Sequence, residues 1–525
     1  MNMMRSSRQA VLPVALRRGV LACAVAILSV GLAGCGSLVA QPYQAPDVAM
    51  PGQWQQGTPA DPNASPTATP VVPEAGSVPA AGVSAANAPP TSVADVLAGG
   101  GDGWWRRFND DGLNRMIDKV LARNGDLAAA AIAVRAAQLS ADLTHSNELP
   151  TLTGEYDGAK AKSLRGYGTT TSHALTGTVS YEADLWGKLA RLTDAARWEA
   201  LATQQDLATT RLSLIGTATN LYWKLAYLNE RIDSEQKSVA YLEKVLALVR
   251  VQRDAGATST LEVLEAEQSI ESERSTLTQL LAQRVATRMS LAALLADPAG
   301  ARVPAPPNLF TLRTPVIDAG VPLEVLARRP DLRAAELRLR EQFANVNATR
   351  ASYYPTLSLT GALGSSSTAL VDLLKNPVGT LGATIALPFL NWHQRDLNIK
   401  SSQATYDRAV QTFRQTLYAA LTDVETALSA RTQYLQQGEQ LARSLAAARA
   451  VERIYAVRYR TGAVTLRVWL DAQESVRSAE RTLAENRYNQ LTETVTLYQA
   501  LGGDVVTGAS QASLALPVTT AEAAM

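Results

Sequence analysis

The chain has 525 residues, enough for several domains, with 18% charged residues and a net charge of +1. Four of its 49 basic residues (Arg5, Arg8, Arg17 and Arg18) precede Cys35, leaving 45 against 48 acids, so no basic excess points to nucleic acid. With three histidines, two cysteines and no G-x-S-x-G, P-loop, G-x-G-x-x-G or H-E-x-x-H motif, the sequence predicts no catalytic residue, no metal ligand set and no enzyme.

Residues 1–34 read as a secretory signal. Basic residues lead into an apolar run, 20–32, that is too short to span a bilayer, followed by Leu32-Ala33-Gly34-Cys35. This tetrapeptide resembles the bacterial lipobox, whose cysteine receives N-acyl and S-diacylglycerol lipid. After cleavage Cys35 is the one cysteine left, with no disulfide partner in an oxidising compartment. Residues 35–103, rich in Pro, Ala, Gly, Ser and Thr, predict an extended, poorly ordered arm. No later stretch approaches 18 apolar residues, so a membrane could be crossed only by strands of a closed barrel.

The body is written twice. Arg123-Asn124-Gly125-Asp126-Leu127 is echoed by Arg328-Arg329-Pro330-Asp331-Leu332 at an offset of 205, and Trp186, Gly256 and Leu264-Glu265-Ala266 by Trp392, Gly462 and Leu470-Asp471-Ala472 at 206. The copies are 104–296 and 323–503, joined by a Pro-rich linker, 297–322, and followed by a tail, 504–525. Each begins with a helix, 110–146 or 332–352, the second announced by Pro330-Asp331 in its first turn. Pro150 and Pro355 close these helices. Strands are predicted at 152–161 and 174–185 around a Gly-rich loop, and at 356–363 and 381–389 around Gly364-Ser365-Ser366-Ser367-Thr368. In the second strand Leu175, Gly177, Val179, Tyr181 and Ala183 alternate with polar residues, giving one apolar and one polar face.

Very long helices follow, at 188–255 and 394–461. Leu214, Ala218, Leu221, Leu225, Leu228 and Ile232 make a heptad seam, and Leu417, Leu421, Val424 and Leu428 keep the same rhythm. Gly256 and Gly462 mark left-handed turns at their ends. Return helices occupy 261–295 and 465–501, the first opened by a Ser259/Glu262 capping box. Four strands cannot close a barrel, whose minimum is about eight, so a spanning sheet requires several copies of the chain.

The body, 104–503, resembles the outer membrane factors, the trimeric channels of tripartite efflux pumps and of type I secretion, and is most similar to the lipidated branch serving resistance–nodulation–division pumps. The resemblance rests on Ser180-Tyr181-Glu182-Ala183-Asp184-Leu185-Trp186-Gly187-Lys188, on Arg328 through Glu336, on Arg460-Thr461-Gly462 with Leu470-Asp471-Ala472-Gln473, and on Val495 through Gly503. It implies a mainly α protomer with a transmembrane β part, three copies forming a 12-stranded β-barrel continued by a periplasmic α-helical barrel. It also implies an outer membrane location with a lipid anchor on Cys35, a periplasmic adaptor, an inner membrane transporter, and passive conduction of drugs or other solutes. Protein export by type I secretion and a non-channel coiled-coil lipoprotein are the alternatives.

The resemblance places the channel constriction at the Gly256 and Gly462 turns, with acids six and nine residues beyond each glycine. Here those positions hold Glu262 and Glu265 in the first copy and Val468 and Asp471 in the second. Asp471 is the expected constriction acid, and Glu262, Glu265, Arg467 and Tyr459 are further gate candidates, with Tyr459 expected to pair with acids such as Glu262. Arg329, Asp331 and Glu336 are expected to be structural. Asn376 through Thr380 and Leu387 through Trp392 also resemble the copper and silver efflux subgroup, although the sequence shows no methionine relay for a soft metal.

Overall fold

A computed structural model describes residues 41–46, 54, 103–300 (except 163, 165 and 167), 303–317 (except 305 and 316) and 328–503. The signal segment, Cys35, most of the arm, part of the linker and the tail lie outside the described residues. The elements are α1 (Asp111–Arg123), α2 (Gly125–His145), β1 (Thr151–Lys162), β2 (Thr169–Ala183), α3 (Lys188–Asp254) and α4 (Thr260–Leu294), then α5 (Pro330–Ala351), β3 (Thr356–Ser367), β4 (Val378–Ala386), α6 (Trp392–Arg460) and α7 (Leu466–Ala500).

The expected 110–146 helix is two helices. Asn124 is extended (φ −66, ψ 128), its N–H donates to Val120 O at 2.9 Å, and its Oδ1 accepts from Leu127 N at 3.0 Å, so one residue ends α1 and caps α2. The strands also differ from expectation. β2 begins at Thr169 because Thr169-Thr170-Thr171 pair with Lys162-Ala161-Lys160, and β3 runs on because Gly364 through Ser367 pair with Thr176 through His173. β4 stops at Ala386, short of residue 389. Pro388 has no N–H for a ladder and heads the single turn Pro388–Leu390.

The chain divides into two compact units that cut across the repeats. Among the described residues, one draws on 41–46, 136–201 and 336–412, the other on 54, 103–135, 202–335 and 413–503. The first holds a four-stranded antiparallel sheet in the order β1-β2-β3-β4. Its register puts Leu152 opposite Val179, Tyr156 opposite Leu175, Tyr181 opposite Leu359, and Leu359 opposite Ala383, with Leu357 opposite Ile385. Directly opposed residues share a face, so these form one apolar surface across all four strands. The other face carries Thr153, Glu155, Thr178, Ser180, Ser358, Thr360 and Thr384. β1 and β4 each pair with a single neighbour. At the sheet's end Trp186 donates from Nε1 to Pro355 O at 2.7 Å and packs on Tyr354 at 5.0 Å, while Trp392, its counterpart in the second copy, is 68% exposed. Against the expectation for the arm, Tyr43 is packed: its ring meets Phe343 edge-on at 5.7 Å, and Arg340 lies over both Tyr43 (5.2 Å) and Trp198 (5.5 Å).

The second unit is helical. The seam residues Leu214, Ala218, Leu228 and Ile232 are buried in its core with Val424 and Leu428, and Leu221 packs against them. Trp104 stacks on Tyr498 at 4.9 Å, Phe108 meets Trp223 at 5.5 Å, and Trp54 of the arm packs against the same core. Each such side chain contributes about 1.5–3 kcal/mol on burial. Arg329, 12% exposed, ties three segments together: it bonds Asp331 (Nη2–Oδ2 2.7 Å), Asp423 (3.2 Å), Ala420 O (3.3 Å) and Ala500 O (3.4 Å). Arg329, Asp331, Asp423 and Ala500 line a cavity of about 400 Å³ with Thr209, Ser213 and Glu493.

Burial alone would raise the Asp331 pKa, but the hydrogen bonds and charge of Arg329 outweigh it and hold the carboxyl below its ordinary range. A depressed acid contributes stability above its unfolded pKa and loses it as pH falls through the folded value. Arg329→Met should therefore cost about 2 kcal/mol or more at neutral pH, measured by denaturant melts. The deficit should shrink as pH drops below roughly 4, and a deficit independent of pH would contradict the assignment.

Candidate functional site at the helix turns

Both tips belong to the second unit. α3 ends in a left-handed Gly256 (φ 71), whose N–H donates to Arg253 O at 2.8 Å while Ala257 N donates to Gln252 O at 2.8 Å. α6 ends identically at Gly462 (φ 73), with Gly462 N to Tyr459 O at 3.0 Å and Ala463 N to Arg458 O at 2.8 Å. Paired bonds of this kind satisfy the last carbonyls of a helix and require a residue free of a Cβ penalty.

The two return helices start differently. Ser259 and Glu262 form a full capping box: Glu262 Oε2 accepts from Ser259 N at 2.7 Å and from Ser259 Oγ at 2.8 Å, and Ser259 Oγ accepts from Leu261 N at 3.2 Å. Bonds from Thr258 and then Ser259 hold the Glu262 carboxyl below its ordinary pKa. In the second copy Thr465 occupies the cap position without a side-chain bond, and Val468 has no carboxylate to reach back to the Thr465 N–H.

Beneath the turns, Leu242, Val245 and Val249 of α3, Val263, Ala266 and Ile270 of α4, and Leu466, Trp469 and Leu470 of α7 make one apolar cluster. Trp469 stands where the first copy has Val263, and it organises the polar groups around it. Tyr459 stacks on it at 5.1 Å, Tyr241 meets it edge-on at 6.1 Å, and its Nε1 donates to Glu452 at 3.0 Å.

Tyr459 donates to Gln252 Oε1 at 2.8 Å rather than to Glu262, since Glu262 is engaged in its cap. Burial, and then the nearby Glu262 charge, push the Tyr459 hydroxyl above its ordinary pKa, so it stays a donor. Glu265 meets Arg467 at 3.9 Å; Arg467 is 75% exposed, so the contact is worth little in one protomer. Asp471 is exposed and enters no ion pair among the described residues. The five candidates thus gather around the two turns, with Asp471 the one acid left uncommitted.

Sequence reasoning missed a polar layer deeper in the bundle. Arg477 of α7 bonds Glu273 of α4 at 2.9 Å, with side chains only 12% and 8% exposed, and also holds Glu474 at 3.0 Å, which Arg481 bonds in turn. Burial raises the Glu273 pKa despite Arg477, so its charge is costly to keep. The pair joins helices of the two copies 204 residues apart, and no local spacing announces it. Among the described residues no group of three or more His, Cys, Asp or Glu could hold a metal, and no helix is long and apolar enough to cross a membrane.

Known proteins match this architecture. The family described as outer membrane efflux protein matches twice, at residues 116–297 and 321–503. The chain is 31% identical over 402 residues to toxin and drug export protein A of Aggregatibacter actinomycetemcomitans, covering 76% of this chain and 88% of that one. It is 32% identical over 450 residues to the pyoverdine export outer membrane protein OpmQ of Pseudomonas putida, covering 83% and 94%. Among solved structures, the open-state MtrE outer membrane channel of Neisseria gonorrhoeae superposes with a TM-score of 0.68 at 29% identity, covering 74% and 89%.

Two substitutions probe the site. Val468→Glu should complete a capping box with Thr465, stabilise the start of α7 by about 0.5–1 kcal/mol, and slow amide exchange through the first turn; unchanged exchange would refute the capping account. Replacing Glu273 or Arg477 alone should cost about 3 kcal/mol, whereas Glu273→Leu with Arg477→Met should be near neutral in a thermal melt. A double variant as unstable as the singles would show that the pair is net stabilising.

Proposed function

The chain belongs to the outer membrane efflux protein family, and on that premise we propose how its residues make a channel. It is an outer membrane channel subunit of a tripartite efflux pump. What carries the reading is the sheet, whose register gives one continuous apolar face, one polar face and two open edges. Three copies pairing β4 of one with β1 of the next supply twelve strands, apolar outward and polar inward.

The rest of the proposal follows from that closure. Residues 1–34 direct secretion, and Cys35 carries the acyl and diacylglycerol lipid that anchors the arm to the outer membrane. The helical unit stands in the periplasm and meets an adaptor, which couples it to a resistance–nodulation–division transporter in the inner membrane. The channel conducts passively and catalyses nothing. At the tips, three copies of Asp471 form a ring whose like charges favour cations, flanked by Arg467–Glu265 contacts and by Tyr459 and Glu262. Drugs and other small solutes are the proposed cargo, as the names of the drug and pyoverdine exporters suggest. A second reading, export of proteins, draws support from the word toxin in one relative's name.

In planar bilayers the purified protein should give discrete cation-selective events. Asp471→Ala should shift the reversal potential in a salt gradient towards zero, and an identical reversal potential would falsify the acidic ring. Cys35→Ser should leave the helical and strand content unchanged by circular dichroism while abolishing incorporation of labelled lipid; retained labelling would sink the anchor.

A further inference from the structure

Where the strands pass into the helices, the first unit contains a cavity of about 500 Å³ that the conduction reading does not use. Arg350, Tyr353, Pro355, Phe389, Arg395 and Asp396 are among the residues that line it. We propose that this cavity binds the phosphodiester headgroup of an anionic phospholipid, in the leaflet at the helical end of the sheet. The proposal rests on reading the sheet as membrane-spanning.

Three observations carry it. The first is charge. Arg395 makes no side-chain hydrogen bond or ion pair among the described residues. Arg350 makes one, from Nη2 to Gln403 Oε1 at 3.3 Å, and keeps further donors. The negative charge on the wall, Asp396, is answered chiefly by Lys400 at 2.8 Å, with the Arg395 charge also acting on it. Two guanidinium groups with spare donors suit a phosphate, whose oxygens accept forked pairs of bonds. The Tyr353 hydroxyl accepts from Asn398 Nδ2 at 2.6 Å, which fixes the oxygen and leaves its own hydrogen to donate.

The second is placement. Leu357 and Leu359 lie on the apolar face of β3 and Ile385 lies opposite on β4. Pro355 immediately precedes β3 and Phe389 lies in the Pro388–Leu390 turn just after β4, so these two wall residues put the cavity at the helical end of the sheet. A soluble anion has no reason to prefer that end of the sheet, whereas a lipid headgroup sits at that depth. The third is the rim. Phe389 and Tyr354, which line the cavity with the arginines, are 40% and 39% exposed. Aromatic surface next to cations is the pattern of an interfacial belt, in which acyl chains lie along the former and headgroups on the latter.

Full-length protein, purified as its native oligomer, would be reconstituted in nanodiscs of phosphatidylglycerol or phosphatidylcholine and weighed by native mass spectrometry, with bilayer conductance recorded on the same samples. Wild type should retain phosphatidylglycerol in preference to phosphatidylcholine. Arg350→Gln with Arg395→Gln should lower that retention about tenfold, the scale of one lost charge-assisted pair, while phosphatidylcholine retention and conductance stay unchanged. Equal retention in a variant that still conducts would overturn the site and leave the channel intact. Displacement of the lipid by inorganic phosphate alone would assign the cavity to a free anion, and dissociation of the oligomer would assign it to a neighbouring subunit; either overturns the proposal. A wild type that neither conducts nor retains lipid would remove the spanning reading beneath it.

Discussion

A backbone that enters hydrocarbon must satisfy every N–H and C=O within protein, and the described residues of this chain bring four strands to the task. Its sheet has an apolar face that needs covering by lipid and two edges that lipid cannot satisfy. The chain therefore does not finish its own fold: it makes a third of a barrel and leaves pairing groups on β1 and β4 for other copies. Duplication serves the same demand, since one gene segment written twice doubles the strands and the helices that flank them.

Duplication also creates a hazard, because two similar hairpins can exchange partners. The ion pairs between helices answer it. Glu243 of α3 bonds Arg274 of α4 at 2.8 Å, and the matching positions in the second copy are Arg449 of α6 and Glu480 of α7 at 2.7 Å. The signs are inverted. A helix of one copy pairing with the wrong return helix would set Glu243 against Glu480 and Arg449 against Arg274. Each exposed pair is worth less than about 1 kcal/mol, but discrimination adds the lost attraction to the new repulsion. The buried Glu273–Arg477 pair does the complementary work of holding the two hairpins in register with each other.

What could be read from the residues was local and periodic. The alternation in β2, the heptad seam of α3, the two glycine turns and the Ser259 box each lie within one continuous stretch, and the copies announce themselves by a constant offset, so all survive without knowledge of the fold. The boundaries that failed did so for equally physical reasons. Asn124 looked like one polar residue in a helix, yet its short side chain could cap the next helix while its own backbone left the last. The polar ends of β2 and β3 looked like loop, yet outer strand ends with no apolar burden tolerate Thr, Ser and Gly. At the tips, the identities of the residues were legible but their partners were not. Tyr459 finds Gln252 across 207 residues, and Glu273 finds Arg477 across 204, contacts that no window of sequence contains. The one available clue was Trp469, an indole where the other copy keeps valine, which announces an aromatic cluster that reaches from the second hairpin to Tyr241 of the first.

The unequal helix starts have a further bearing. One hairpin begins its return with a full capping box, and the other begins at Thr465 with no side-chain cap and no carboxylate at Val468. A bare first turn unravels at little cost, so thermal motion concentrates in one of two otherwise matched arms. The two hairpins of one chain thus differ in stiffness where the return helix starts. Gene duplication, in this light, supplied the spare copy in which stiffness could be lost while the other copy kept it.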